Sequence, residues 1–148
     1  MRRSSLELEP DEELHDLAPA SFRGAAATSA RATFALGSAR MRQRAYEDWR
    51  HAVESAGFPT AGPEMFLGVT NQRLLVCKTT FMTGRPSDIR GSIELARIFD
   101  VAATRQGLVT SVAFALVNGQ VVEVEAVRGA RLRRFARSVK DALGRADG

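Results

Sequence analysis

Leu108-Val-Thr-Ser-Val-Ala-Phe-Ala-Leu-Val117, then Asn118-Gly119, then Gln120-Val-Val-Glu-Val-Glu-Ala-Val127 is the stretch whose reading decides the fold. On its first arm Leu108, Val112, Phe114 and Leu116 share one face. On its second, Val122, Val124 and Ala126 point one way and Glu123 and Glu125 the other. A period of two with one apolar face is the signature of a half-buried antiparallel strand. Between the arms, Asn118-Gly119 predicts a type I′ turn, because both of its central residues need positive φ and these two tolerate it best.

The same pattern extends toward the N-terminus. Phe66–Thr70 and Arg73–Phe81 are strand-like and flank Asn71-Gln72, a tight turn. Ser92–Leu95 and Ile98–Thr104 are shorter strands, and Gln106-Gly107 is the turn that leads into the hairpin. That makes six strands. Toward the C-terminus the period changes to that of a helix over Ala130–Leu143, with Leu132, Phe135, Ala136, Val139, Ala142 and Leu143 as one stripe and Gly144 as its stop. That stripe needs a partner, which the open end of a curled sheet provides.

Before the strands, a helix is expected over Ala39–Ala56, capped by Ser38 and ended by Gly57 and Pro59. Met41, Ala45, Trp49, Ala52, Val53 and Ala56 fall on one side of it, a face for docking on the β-domain. Residues 1–36 are acidic and then rich in Ala, Ser, Thr and Gly, which predicts a poorly ordered tail. The organisation expected is a tail (1–36), an amphipathic helix (37–58) and a β-domain (64–146).

The sequence motifs resemble the bacterial pleckstrin-homology-like family. Phe66-Leu67-Gly68-Val69-Thr70, the turn Asn71-Gln72 and Arg73-Leu74-Leu75-Val76 match its opening hairpin, an apolar strand running into Val-Thr, a turn and Arg-Leu. Ile93, Leu95, Ile98 and Val101, the Asn118-Gly119 hairpin and the Phe135 helix fit the later part. The resemblance covers roughly residues 64–144. It implies an α+β fold: an antiparallel β-barrel or sandwich capped by the C-terminal helix, here preceded by one further helix. It also implies a binding or scaffolding module without catalysis. The family fold usually has seven strands, so one is missing from the count; either it lies near Arg31–Leu36 or the Trp49 helix replaces it. The basic cluster that phosphoinositide-binding relatives carry on the first hairpin is missing, since around Asn71 only Arg73 is basic.

Composition bounds the chemistry. The chain of 148 residues has one cysteine, Cys77, and two histidines, His15 and His51, so an internal disulfide and a thiolate metal cluster are excluded. No glycine-rich phosphate loop is present. Cys77 shares a strand face with Leu75 and is read as a buried thiol; Glu123 and Glu125 are read as a solvated outer face rather than an acid pair. No cofactor, no metal and no enzymatic activity are expected. No run of 18 apolar residues occurs, and Leu6-Glu7-Leu8-Glu9 replaces the apolar core that a signal peptide needs, so a cytoplasmic location is expected.

Charge is divided unevenly. Residues 1–20 carry two arginines and six carboxylates, a net charge of −4, which leaves +8 on the rest of a chain whose total is +4. A basic body with an acidic tail allows an anionic partner, or a tail that covers a basic patch. The partner expected is a protein. The alternative is an anionic membrane surface or nucleic acid, held by one end of the barrel. Successive hairpin turns alternate between ends, which gathers Arg85, Arg90, Arg105, Arg128 and Arg131 near the start of the last helix.

Overall fold

The computed structural model describes residues 6–25, 38–79 and 86–147. Seven strands form one antiparallel sheet: β1 (Leu14–Phe22), β2 (Glu64–Thr70), β3 (Arg73–Thr79), β4 (Pro86–Glu94), β5 (Ile98–Gln106), β6 (Val109–Leu116) and β7 (Val121–Val127). Their order across the sheet is β4-β3-β2-β1-β7-β6-β5, and the sheet is not closed. Helix α1 (Ser38–Ser55) lies between β1 and β2 in the chain, and α2 (Ala130–Asp147) follows β7.

The seventh strand is β1, and it corrects the expectation of a poorly ordered tail. Leu14–Phe22 joins the two halves of the sheet, pairing with β2 from Leu14 to Ser21 and with β7 only at Ser21 and Phe22. Arg31–Leu36, one of the places expected to hold that strand, lies outside the described residues. β1 is hard to see in the sequence because its inward residues are small, Ala18 and Ala20, and because Pro19 interrupts it. The proline is tolerated for a geometric reason. The Leu17 carbonyl points away from β2, toward α2, so by alternation Pro19 also points to that side. β7 has diverged there, and no ladder bond is lost.

α2 fills the opening left by that divergence. Its buried stripe, Leu132, Phe135, Ala136, Val139 and Ala142, packs into one core with Leu67, Val69, Leu74, Val76, Val112, Phe114 and Val124. Arg131 Nε donates to the Leu17 carbonyl at 3.1 Å and Ser138 Oγ to Asp16 Oδ2 at 3.0 Å, which caps the free edge of β1. On the far side Lys140 Nζ pairs with Asp100 Oδ1 at 3.1 Å, beside β5. Gly144 does not stop the helix, which continues to Asp147.

The outer face of β2 and β3 carries Phe66, Leu75 and Cys77, and Leu6, Leu8 and Leu14 cover it. β2 is therefore buried on both faces. α1 docks as expected but by a shifted stripe. Tyr46, Trp49, Val53 and Ala56 face the protein, whereas Met41 and Ala52 are exposed. Trp49 Nε1 donates to the Glu123 carbonyl at 2.8 Å, and Trp49 and Tyr46 pack against Phe22.

Two turns differ from the sequence reading. Gly119 has φ +89°, but Asn118 is not in the positive region, so the β6–β7 connection is not type I′. The Gly119 amide donates to the Leu116 carbonyl at 3.0 Å and the Leu116 amide to the Gln120 carbonyl at 2.8 Å. This is the three-residue hairpin loop, a type I turn followed by a glycine bulge. Leu108 belongs to the β5–β6 turn with Gly107 and is exposed, so it does not share the face of Val112 and Phe114.

Candidate functional site

Alternation of the turns sorts the surface into two ends. At the first, the Leu95 amide donates to the Gln72 carbonyl at 3.2 Å and the Val117 amide to the Arg97 carbonyl at 3.0 Å. The β2–β3 turn, the β4–β5 connection and the β6–β7 hairpin therefore meet there. At the second, the Arg128 amide donates to the Leu108 carbonyl at 2.6 Å, which ties the start of α2 to the β5–β6 turn.

The second end carries a groove of about 220 Å³ lined by Arg105, Leu108, Thr110, Arg128, Gly129, Ala130 and Arg133. Its floor depends on Gly129, where an added Cβ would sit 2.8 Å from Thr110 Cβ and 3.0 Å from the Ala126 carbonyl. Only glycine lets the chain run this close to β6 before turning into the helix. Arg128, just before it, holds φ +55°, a region few residues without a glycine's freedom adopt. No carboxylate lines the groove, and among the described residues Arg105, Arg128 and Arg133 form no ion pair. Arg105 Nε donates to the Gly107 carbonyl at 3.1 Å.

Of the five arginines singled out in the sequence, the structure brings Arg105 and Arg128 together in this groove. Arg131 is turned the other way, on the Leu17 carbonyl, with its guanidinium 5.7 Å from the centre of the Phe66 ring. Arg90 sits within β4, exposed, and does not line the groove. Arg85 lies outside the described residues. Arg133 completes the groove and was missed as a site residue. Its signal was the helix register: it lies one turn beyond Gly129, at the border of the buried stripe.

A wider concavity of about 630 Å³ lies on the outer face, lined by Glu7, Leu8, Glu9, Arg73, Ser87, Asp88 and Ile89. Its arginine is already committed. Arg73 Nε donates to Glu12 Oε2 at 2.7 Å and its Nη2 to Glu12 Oε1 at 3.0 Å. Burial alone would raise the Glu12 pKa, but hydrogen bonds from Arg73, the Glu9 amide and the Thr70 hydroxyl, with the charge of Arg73, lower it to about 2.

The first end carries exposed polar residues at its turns, Asn71, Gln72, Arg97, Asn118 and Gln120, and an apolar corner at β5. Phe99 is 75% exposed, with Val117 and Val121 also exposed. Asp100 pairs with Ala115 and Ala115 with Val121, so these side chains lie within two strand widths of one another at the β5 edge.

The remaining candidates carry little chemistry. Cys77 is buried, and burial raises its thiol to about 11 despite the nearby charge of Arg73. Glu125 is not solvated as expected: it is buried, with the Gly24 amide donating to it at 3.1 Å, and Arg23 bridges to Glu123 at 3.0 Å. Among the described residues no three His, Cys, Asp or Glu side chains gather to hold a metal, and no helix is long and apolar enough to cross a membrane.

No protein-family model and no curated protein matches the chain.

Proposed function

We propose that this chain is a non-enzymatic binding module of pleckstrin-homology-like architecture that engages a protein through the apolar corner at the β5 edge. The architectural part is supported by seven antiparallel strands in succession, interrupted only by α1, and by the terminal helix that packs against them. The non-enzymatic part is supported by a thiol held neutral by burial and by carboxylates, Glu12 and Glu125, committed to structural partners.

The observation that carries the binding surface is Phe99. A phenylalanine three-quarters exposed on an edge strand, flanked by Val117 and Val121, is apolar area that gains from a partner about 25 cal/mol for each Å² covered. Part of the β5 edge is already occupied, since Lys140 Nζ of α2 donates to the Val101 carbonyl at 3.5 Å, so the contact proposed is through the side chains of the corner.

The test compares wild type with Phe99→Asp as bait in lysate of the source organism at high salt. The reading expects a protein retained by wild type, lost with Phe99→Asp, and an unchanged circular dichroism spectrum and melting temperature. Recovery of the same proteins by both baits would remove this surface from consideration.

A further inference from the structure

We propose that residues 6–9 are a releasable cover over a docking face formed by Phe66, Leu75, Cys77 and Ile89. The occupant that displaces them is an extended segment of another protein, with aliphatic side chains two residues apart and lysine or arginine beside them. The face lies on β2, β3 and β4, away from the Phe99 corner, and does not depend on it.

The first observation is how the face is covered. Phe66, Leu75 and Cys77 are buried on the outer side of the sheet, where Cys77 pairs with Phe66 of β2 and with Ile89 of β4. Leu6, Leu8 and Leu14 pack on them. Leu14 begins β1 and is paired with Thr70, but residues 6–9 belong to no strand. Leu6 and Leu8 fall on the same side of an extended chain, and both stay only half-buried.

The second is where the cover is fastened. Asn71 Nδ2 donates to the Asp11 carbonyl at 3.2 Å, the Asn71 amide to the Glu13 carbonyl at 3.2 Å, and Arg73 and Thr70 hold Glu12. The chain turns just before this anchor, with the Glu12 amide donating to the Glu9 carbonyl at 3.0 Å. Residues 6–9 can lift about that turn while Glu12 stays on Arg73. Such a local opening uncovers few apolar contacts and breaks no strand pairing, so it lies well below global unfolding in free energy.

The third observation selects the occupant. Glu7 and Glu9 line the concavity of about 630 Å³ together with Asp88 of β4. Arg73, the cation among its described lining residues, is held by Glu12. The cover therefore brings carboxylates to a wall that already carries one. A segment with the same apolar spacing, but cations in place of the glutamates, makes the same contacts with Leu75 and Cys77. It meets attraction where the cover meets repulsion. A second copy of this chain would bring the same glutamates and the same repulsion.

The experiment has two arms, both on the full chain. The first follows the reaction of Cys77 with a small disulfide reagent in low concentrations of urea. An opening confined to residues 6–9 gives a wild-type rate nearly independent of urea, and Leu6→Ser/Leu8→Ser should react at least tenfold faster. Leu8→Ala gives the same comparison with a smaller change of structure, and circular dichroism checks both folds. Reaction only with the urea dependence of global unfolding, and at the same rate in the variants, overturns the cover.

The second arm titrates the chain with three hexapeptides, following the Leu75 and Cys77 amide resonances. They are Ser-Ser-Leu-Lys-Leu-Lys, Ser-Ser-Leu-Glu-Leu-Glu and Ser-Ser-Ser-Lys-Ser-Lys. The proposal expects the first to bind at least tenfold tighter than the second at low salt, with the difference shrinking as salt is added. The third should give no saturable shift. Asp88→Asn should narrow the preference for lysine. Leu6→Ser/Leu8→Ser should bind the first peptide several-fold tighter than wild type, because the cover no longer competes. Equal or tighter binding of the glutamate peptide overturns the occupant and points to a second copy. No saturable shift with any peptide overturns the face. Phe99→Asp should bind the first peptide as wild type does.

Discussion

Glu12 and Arg73 form a two-pronged ion pair in which the Glu12 side chain is fully buried, 2.7 Å from Oε2 to Nε and 3.0 Å from Oε1 to Nη2. Thr70 Oγ1 donates to the same carboxylate at 2.7 Å. The pair fastens the N-terminal segment over the β2–β3 turn and places Leu6 and Leu8 on Phe66, Leu75 and Cys77. The acidic segment is therefore held to the body by one carboxylate on one basic residue.

This pair fixes a pH dependence. The Glu12 carboxyl is lowered from its ordinary 4.5 to about 2, so its contribution is complete above pH 4.5 and is lost as pH falls toward 2. Glu12→Gln should cost about 2–3 kcal/mol at pH 7. Urea unfolding at pH 7 and near pH 2.5 checks the sign. The gap between wild type and variant should shrink markedly at the lower pH, and a gap equal at both would refute the assignment.

Truncation tests the role of β1. Removing residues 1–22 deletes the strand that pairs with both β2 and β7, and with it Ala18, Ala20 and Phe22 from the cores. The truncated chain should lose cooperative thermal unfolding and dispersed amide resonances. A folded truncated protein would show that the two halves of the sheet associate without β1.

Gly119 tests the hairpin. Its φ of +89° suits glycine, while the space around it is open, so a larger residue is strained by backbone and not by collision. Gly119→Val should destabilise by about 1–3 kcal/mol. Gly119→Asn should cost less, because asparagine enters the left-handed region more readily. Melting temperatures of the two variants give the order; equal values would mean that the positive φ is not required.

Trp49 reports on the docking of α1. The indole is half-buried and bonded to the Glu123 carbonyl at 2.8 Å, so native emission should be blue-shifted and move to longer wavelength on unfolding. Trp49→Phe keeps the packing and loses the bond, about 1 kcal/mol; Trp49→Ala loses both, about 3–5 kcal/mol. Emission typical of free indole in the folded protein would place α1 off the sheet.

The hairpins, the C-terminal helix and its buried stripe were legible because their signals are local. Val122 and Val124 alternate with Glu123, and Leu132, Phe135 and Val139 repeat at helical spacing, whatever the rest of the chain does. β1 was not legible, because small inward residues and a mid-strand proline weaken each local cue. Leu6 and Leu8 did alternate with Glu7 and Glu9, but a segment with one apolar face shows no partner in its own sequence.

The arginine end shows the same division. Sequence alone determined that the turns alternate, and so that Arg105 and Arg128 share an end, since antiparallel connectivity leaves no other arrangement. It did not determine which way each side chain points. Arg131 turned to the Leu17 carbonyl because β7 leaves β1 there and exposes an acceptor, and Arg133 took its place because Gly129 seats the helix on Thr110. Both are consequences of packing between residues some twenty to more than a hundred positions apart, and such contacts carry no periodic trace along the chain.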